Sequence, residues 1–301
     1  MKRPVGSAFR SALLSLPLAS WVAGMPAHAG QSPVMFTPDI TAQYGTVKPA
    51  LVDPDEAAVD NGAGSVAIPP PAAAMFAFLP AGAQVADFEL SSSPTVGWLF
   101  SVDTTVALPG LPATSPLEPR DVARFDPATS TYSIYFDGSA NGIPDGARID
   151  AIATDASDRL LLSFDTSVSL PGLGTVDDED LVRFSAGTWT MEFDGSAHGV
   201  TPDLDLDAAH RMHTGNTLLL SFDVSGSVPG VAFDDEDVLA YDTAAATYAM
   251  WFDGSLSDPT DWPAADLVGL PEPDFVTSIG IGLLALATLA YERRNRKSRR
   301  G

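Results

Sequence analysis

The sequence predicts an all-β body built from four repeats, each with about four short strands. Three observations predict this class. The chain aligns with itself at a regular spacing, its apolar segments are short and separated by Gly, Pro and Asp, and none has a helical period. The repeats cover about residues 34–90, 96–153, 159–212 and 217–270, within a body of residues 30–270.

The clearest copies of the repeat begin with one buried strand and its following turns. Leu160–Asp165 and Leu218–Asp223 both read Leu-Leu-Leu-Ser-Phe-Asp, and Trp98–Asp103 is an earlier copy. Each leads into a Val/Leu-Pro-Gly turn and then into an acidic turn, of which Asp177–Asp180 and Asp234–Asp237 are the strongest. Continuous apolar runs of this length favour strands that are buried on both faces.

The second half of each unit contains two further strands, the last of which ends in Phe-Asp-Gly-Ser. The aspartates of this motif are Asp137, Asp194 and Asp253. We interpret the motif as structural, with a glycine that adopts positive φ in a tight turn, because a catalytic residue is rarely needed three times over. The copy at 34–90 lacks the motif and is matched to the others through residues 80–88.

Four-stranded units in series are typical of a β-propeller, whose rings have about 4–8 units. The first repeat begins in mid-unit, and Ala265–Leu270 resembles the closing strand at Val85–Leu90. The two ends of the body would then complete one unit between them, and a ring closed in this way has few exposed strand edges. A row of small sheets and a pair of β-sandwiches are the alternatives.

The segment at 1–29 has the three parts of a secretory signal peptide. A basic start precedes an apolar stretch at 12–22, and Ala27 and Ala29 form a small-x-small cleavage site. We therefore expect export through the inner membrane and removal of this segment by signal peptidase.

The C-terminus carries an uncharged apolar run at 275–291. Its length is at the short limit for a membrane-spanning helix, about 17–25 residues. The motif Pro271-Glu272-Pro273 precedes the run, and a basic cluster follows it, which predicts that this end stays in the cytoplasm. The cluster includes Arg293, Arg294, Arg296 and Lys297.

These three parts, in this order, resemble the PEP-CTERM sorting signal over residues 271–301. The resemblance implies recognition by exosortase, a transpeptidase-like enzyme in the inner membrane of Gram-negative bacteria. It also implies that the tail is removed near Pro271–Pro273 and that the body reaches the cell surface or the extracellular matrix of an exopolysaccharide-producing bacterium. An uncleaved anchor with the same topology is the alternative.

The charge of the body excludes one class of partner and attracts another. Residues 30–273 hold 7 of the 16 basic residues and 37 of the 39 acidic residues, so their net charge is near −30. Nucleic acid is excluded as a partner because phosphate binding needs clustered Lys and Arg, whereas cations are attracted. The chain has no cysteine, which excludes disulfides, thiolate metal sites and a cysteine nucleophile.

The acidic turns are the candidate metal sites. Ca²⁺ takes about 6–8 oxygen ligands, which carboxylates and loop carbonyls supply, although the spacing differs from that of an EF-hand. The sequence therefore favours a solvated turn in which Asp accepts backbone hydrogen bonds, and calcium binding is the alternative. The candidate ligands are Asp177, Asp178, Asp180, Asp234, Asp235 and Asp237.

Other chemistry is sparse. The sequence contains no serine-nucleophile elbow, phosphate-binding loop or zinc-protease motif. His210 and His213 fall on a predicted strand and would face opposite sides, which favours a surface or turn role over metal binding. We assign Trp189 to the core, and Trp262, in a predicted loop, is the candidate for stacking on a sugar ring.

These observations lead to one expected function. The chain would be an exported, exosortase-sorted cell-surface or matrix protein that acts by binding or structure, with exopolysaccharide as the candidate partner and calcium as the candidate cofactor. A secreted carbohydrate-active enzyme on a propeller scaffold is one alternative. A purely structural envelope component that binds nothing small is the other.

Overall fold

The computed structural model describes residues 34–38, 42–44, 50–53, 55–60, 66–68, 73, 75–90, 96–127 and 129–257. These residues form an all-β fold, with two short 3₁₀ turns at Ser139–Asn141 and Ser196–His198 and a helical turn, α1, at Gly254–Ser257. The strands are β1 (Val34–Phe36), β2 (Ala42–Tyr44), β3 (Ala50–Val52), β4 (Ala58–Asp60), β5 (Val66–Ala67), β6 (Val85–Leu90), β7 (Trp98–Val102), β8 (Val122–Asp126), β9 (Thr131–Phe136), β10 (Ile149–Thr154), β11 (Leu160–Phe164), β12 (Val168–Leu170), β13 (Gly174–Val176), β14 (Leu181–Ser185), β15 (Thr188–Phe193), β16 (Leu206–Arg211), β17 (Thr217–Phe222), β18 (Gly226–Val228), β19 (Val231–Phe233), β20 (Val238–Asp242) and β21 (Thr247–Phe252).

Three antiparallel four-stranded sheets carry most of these strands. Their orders are β6-β7-β8-β9, β10-β11-β14-β15 and β16-β17-β20-β21, and we call them the first, second and third sheets. The equal order confirms the all-β repeat. Each sheet takes its first strand from the end of one predicted repeat and its other strands from the next. These first strands, β6, β10 and β16, pack against one another, and we call them the inner strands.

Small hairpins, which the sequence analysis did not predict, lie beside the sheets. β12 pairs with β13, and β18 pairs with β19, each around a Pro-Gly turn. At the corresponding place in the first sheet, a single bridge joins Val106 and Leu117. The hairpins explain how the chain leaves the second strand of a sheet and returns to the third.

The N-terminal repeat forms a smaller sheet of order β1-β4-β5. Its hairpin β2-β3 corresponds to β12-β13, and its acidic turn is held by a bond from the Asp53 N–H to Glu56 Oε2 at 3.2 Å. This matches the arrangement in the larger sheets. The closing strand predicted at Ala265–Leu270 lies outside the described residues.

Among the described residues, four hydrophobic clusters form the core, and each draws residues from two sheets. Packing on both faces explains why β11 is buried along its whole length. The clusters join the N-terminal and first sheets (Met35, Phe88), the first and second sheets (Leu99, Ile152), the second and third sheets (Leu161, Leu220), and the third and N-terminal sheets (Phe36, Leu219).

Two joints link consecutive sheets with the same chemistry. The 3₁₀ turn after the first sheet ends at Gly142, which has a φ of 89°, and a Cβ there would lie 2.8 Å from Cδ of Pro171. Gly199 meets Pro229 in the same way, between the second and third sheets. A side-chain hydrogen bond strengthens each joint. Trp189 Nε1 donates to the carbonyl oxygen of Asn141 at 3.1 Å, and the Tyr248 hydroxyl donates to the carbonyl oxygen of His198 at 3.3 Å.

The predicted terminal segments lie outside the described residues. These are the signal peptide at 1–29 and the tail at 271–301. In the part of the chain that the structure describes, no helix is both long and apolar enough to cross a bilayer.

Candidate functional site

The last aspartate of each acidic turn holds two turns together. Asp180 is buried, its Oδ2 accepts the N–H of Asp177 at 3.0 Å, and its Oδ1 accepts the N–H of Gly195 at 2.9 Å. Asp121 and Asp237 make the same pair of bonds in the first and third sheets. One carboxylate therefore fixes the acidic turn and anchors it to the Phe-Asp-Gly-Ser turn.

The other predicted calcium ligands lie around these anchors. Asp177 is exposed and accepts the Ser167 hydroxyl at 2.8 Å, and the Asp178 carbonyl accepts the N–H of Leu206 at 3.1 Å. Asp234 is exposed as well, and the carboxylate of Asp235 accepts the Ser225 hydroxyl at 3.5 Å.

Backbone hydrogen bonding by Asp180 and Asp237 is the interpretation that the sequence favoured for these turns. Among the described residues, no three His, Cys, Asp or Glu side chains are grouped so that they could hold a metal ion. Calcium binding at these turns therefore stays a prediction, without a formed coordination sphere to support it.

The Phe-Asp-Gly-Ser turns are structural, but the predicted reason for their glycine is wrong. Gly138 and Gly195 have φ of −64° and −57°. The glycine is needed because the backbone of the acidic turn lies against it, and a Cβ on Gly195 would be 2.5 Å from the carbonyl oxygen of Glu179. The aspartate closes its own turn, since Asp194 Oδ1 accepts the N–H of Ala197 at 2.9 Å.

A fully buried polar group lies where the inner strands meet. Glu89, Thr154 and His210 come from β6, β10 and β16, and we call them the axial trio. His210 Nδ1 is 3.3 Å from Glu89 Oε2, and Thr154 Oγ1 donates to Glu89 Oε1 at 3.3 Å. The surface or turn role predicted for His210 is wrong, because convergence of the inner strands buries it. Within the described residues, its Nε2 has no hydrogen-bond partner.

The opposite end of the inner strands carries a cluster of acids around one arginine. Arg148 Nε is 2.6 Å from Asp150 Oδ1 and 3.9 Å from Asp165 Oδ2. Asp165 accepts the N–H of Arg148 at 2.7 Å, and Asp223 accepts the N–H of Asp205 at 3.0 Å, so each ties a second strand to the start of an inner strand. We call these five residues the acidic cluster.

Two carboxyls of the acidic cluster bind protons unusually tightly. Burial raises the pKa of Asp150 to about 7, with Arg148 opposing the rise and the charge of Asp165 adding to it. Burial raises the pKa of Asp205 to about 8, and the charges of Asp150 and Asp223 add to it. A carboxylic acid that keeps its proton near neutral pH can act as a general acid.

A depression of about 360 Å³ adjoins the acidic cluster between the first and second sheets. Its walls include Arg148 and Arg120, and Arg120 forms ion pairs with Glu118 at 2.8 Å and with Asp145 at 2.5 Å. The arginine is therefore already neutralised by its own neighbours, and the depression stays acidic.

The aromatic predictions have mixed outcomes. Trp189 is buried and its ring lies 4.8 Å from that of Phe184, which confirms the core assignment. The sugar-stacking candidate Trp262 lies outside the described residues. So do the processing residues Ala27, Ala29, Pro271, Glu272, Pro273, Arg293, Arg294, Arg296 and Lys297.

Sequence reasoning missed Glu89, Asp150 and Arg148 as site residues. A usable signal was present, because Glu89 and Asp150 each stand in a strand made mostly of apolar residues, and a buried charge needs partners. The partners themselves come from distant repeats, and so only the fold reveals them.

No protein-family model matches the sequence, and no curated protein matches it. Similar solved structures include the tricorn protease (TM-score 0.28, 9% identity), the extracellular domain of a putative one-component system from B. thetaiotaomicron (0.31, 8%) and PorZ, a surface component of the type-IX secretion system of Porphyromonas gingivalis (0.28, 9%). The matches cover 75%, 74% and 73% of this chain. The chain spans only 18%, 28% and 28% of the lengths of these proteins.

The stability of the folded chain is expected to fall as the pH rises from about 4 to about 8. Asp150 and Asp205 keep protons up to pKa values of about 7 and about 8 when folded, against an ordinary value of 3.8. Stabilisation that is fully present below pH 3.8 is therefore lost as the pH rises through the folded pKa values. Each carboxyl contributes a slope of up to about 1.4 kcal/mol per pH unit, measurable by urea unfolding across this range.

The variant Asp150→Asn separates this effect from general charge repulsion. It is expected to flatten the slope, because the amide does not titrate. The exposed Asp203→Asn removes the same charge and is the control that should keep the slope. Equal slopes for the two variants would show that the buried carboxyl is not responsible.

Proposed function

We propose that the chain is an exported cell-surface or extracellular-matrix protein that acts by binding, on a closed four-bladed β-propeller. The export part rests on the sequence alone, on the signal peptide and the PEP-CTERM-like tail, with signal peptidase and exosortase as processing partners. The body carries the binding function and takes exopolysaccharide as its partner.

Closure of the propeller is supported by the two clusters that contain β1. Met35 belongs to the same hydrophobic cluster as Phe88 of the first sheet, and its neighbour Phe36 belongs to the same cluster as Leu219 and Phe252 of the third sheet. One strand therefore joins both ends of the row of sheets, as the strands of a ring do. In this proposal, Ala265–Leu270 supplies the inner strand of the N-terminal sheet.

The single observation that carries the binding function is the use of the repeated acids. In each larger sheet, both carboxylate oxygens of the anchoring aspartate accept hydrogen bonds from backbone N–H groups. These aspartates are Asp121, Asp180 and Asp237. The acidic turns and the Phe-Asp-Gly-Ser turns therefore serve to hold the repeated scaffold together. We infer that the scaffold acts through its surface charge. Calcium is the proposed cofactor, as a counter-ion held by the field of a body near −30 rather than in a coordination cage.

The body of residues 30–270 should be retained on the exopolysaccharide of the source bacterium in calcium and released by chelator. The test is affinity chromatography of the purified body, with immobilised dextran as the matched neutral matrix. Retention on the exopolysaccharide alone supports the binding function. Flow-through in both conditions would overturn it and leave a purely structural envelope component.

A second candidate, a carbohydrate-active enzyme, is favoured by one observation. Asp150 and Asp205 have pKa values near 7 and 8, and glycoside hydrolysis needs one carboxylic acid that is still protonated at working pH. The same column distinguishes the candidates, since an enzyme would release new reducing ends from the bound polysaccharide.

A further inference from the structure

Three arginines form one chain of ion pairs between the second and third sheets. Arg159 and Arg183 flank Asp155, at 2.6 Å and 3.5 Å from its Oδ2. Arg183 and Arg211 in turn flank Glu192, and the Arg211–Glu192 distance is 3.9 Å. This arginine chain begins just after β10 ends, whereas the acidic cluster lies where β10 begins, so the two are separated by about 20 Å of strand.

The arginine chain has three cations and two anions, and its charge is not fully compensated. Burial lowers the pKa of Arg183, and the neighbouring charges of Arg159 and Arg211 lower it further. Within the described residues, the buried Nη1 of Arg211 has no hydrogen-bond partner. A further anion is therefore favoured here, in a body that is otherwise strongly acidic.

A groove of about 330 Å³ opens beside Arg159, between β9 of the first sheet and two turns of the second sheet. Aromatic rings of Tyr135 and Phe184 line it, together with the hydroxyl-bearing residues Ser157 and Ser185. The Arg159 side chain is 42% exposed, so part of its guanidinium is accessible even though it pairs with Asp155. The groove thus combines an aromatic surface, hydroxyl groups and a cation with one carboxylate, Asp158. The charge of Asp158 acts on Tyr135 together with the opposite charge of Arg124, so the cation of Arg159 is not offset by Asp158 alone.

We propose that this groove binds a carboxylate-bearing sugar, a uronate residue of an acidic polysaccharide. The aromatic rings offer an apolar surface to the sugar, the serines hydrogen-bond its hydroxyls, and Arg159 pairs with its carboxylate in the planar geometry that guanidinium favours. The acidic cluster repels a polyanion at the other end of the inner strands. The inference rests on the proposed function and names the class of polysaccharide.

The test measures binding of the full-length chain to tetragalacturonate and to its methyl ester by calorimetry. The charged oligomer should bind at least tenfold more tightly than the ester, and Arg159→Gln should remove that difference. Arg159→Lys should recover only part of it, because lysine keeps the charge and loses the planar fork. Arg120→Gln removes an arginine beside the acidic depression and should leave the affinity unchanged.

Tyr135→Ala is a second test of the groove, and it does not depend on whether Arg159→Gln disturbs the folding of the arginine chain. It leaves all three arginines in place and should weaken both oligomers by a similar factor, with the melting temperature of each variant measured alongside. Equal binding of acid and ester, or unchanged affinity in Arg159→Gln, would overturn the inference. If Arg159→Gln is still retained on the source exopolysaccharide, the proposed function is supported and the groove is not the binding site.

Discussion

Replacing Asp180 by Ala is expected to lower the free energy of unfolding by about 3 kcal/mol, in calcium and in chelator alike. The substitution leaves the part-buried N–H of Asp177 and the buried N–H of Gly195 without their acceptor, and loss of an acceptor by a buried donor destabilises by about 1–3 kcal/mol. Urea unfolding in calcium and in EDTA measures both values. Asp237→Ala should behave in the same way, because its carboxylate makes the equivalent bonds in the third sheet.

Asp177→Ala is the matched control, because Asp177 lies in the same acidic turn and is exposed. It should change the free energy of unfolding by less than about 1 kcal/mol. A loss in Asp180→Ala that appears only when calcium is present would contradict the backbone role and make Asp180 a calcium ligand. The pair of variants therefore decides between the two interpretations that the sequence left open.

Gly195→Ala is expected to destabilise the chain by about 3 kcal/mol or more, although its backbone φ of −57° suits any residue. The new Cβ would lie 2.5 Å from the carbonyl oxygen of Glu179, and a backbone atom cannot move aside without opening the acidic turn. The loss should appear as a lower urea midpoint, and Gly254→Ala should repeat it against Glu236.

Gly146→Ala separates steric overlap from backbone strain. Gly146 has a φ of +89° and open space around its Cβ position, so alanine there meets only the strain of a left-handed conformation, about 1–2 kcal/mol. If Gly195→Ala were no more damaging than Gly146→Ala, close approach would not be the reason for the glycine.

The repeat was predictable because its strands have local signals. The Leu-Leu-Leu-Ser-Phe-Asp copies mark β11 and β17, and Gly, Pro and Asp mark the turns between strands. The small hairpins were missed because Val168–Leu170 and Gly174–Val176 are short and carry no periodicity of their own. Their pairing is set by the Pro-Gly turn and by packing under the neighbouring sheet.

The axial trio was not predictable, since its members are brought together only by the fold. Glu89 and His210 are 121 residues apart in the chain and meet because their inner strands converge. The arginine chain has the same origin, with Arg159, Arg183 and Arg211 on three separate segments. In contrast, the anchoring role of Asp180 was open to sequence reasoning, because it acts within its own repeat.

The joints at Gly142–Pro171 and Gly199–Pro229 have a consequence for how such a chain evolves. Both joints place a glycine of one sheet against a proline of the next. A unit copied by gene duplication would therefore present the matching glycine on one side and the matching proline on the other. The joint before the first sheet shares only the side-chain donor: the hydroxyl of Tyr132 is bonded to the carbonyl of Met75 at 2.8 Å, and among the described residues no glycine there lies against a proline. We therefore expect additional repeats to be inserted between the second and third sheets, where both neighbours of an added copy would offer the same glycine–proline contact.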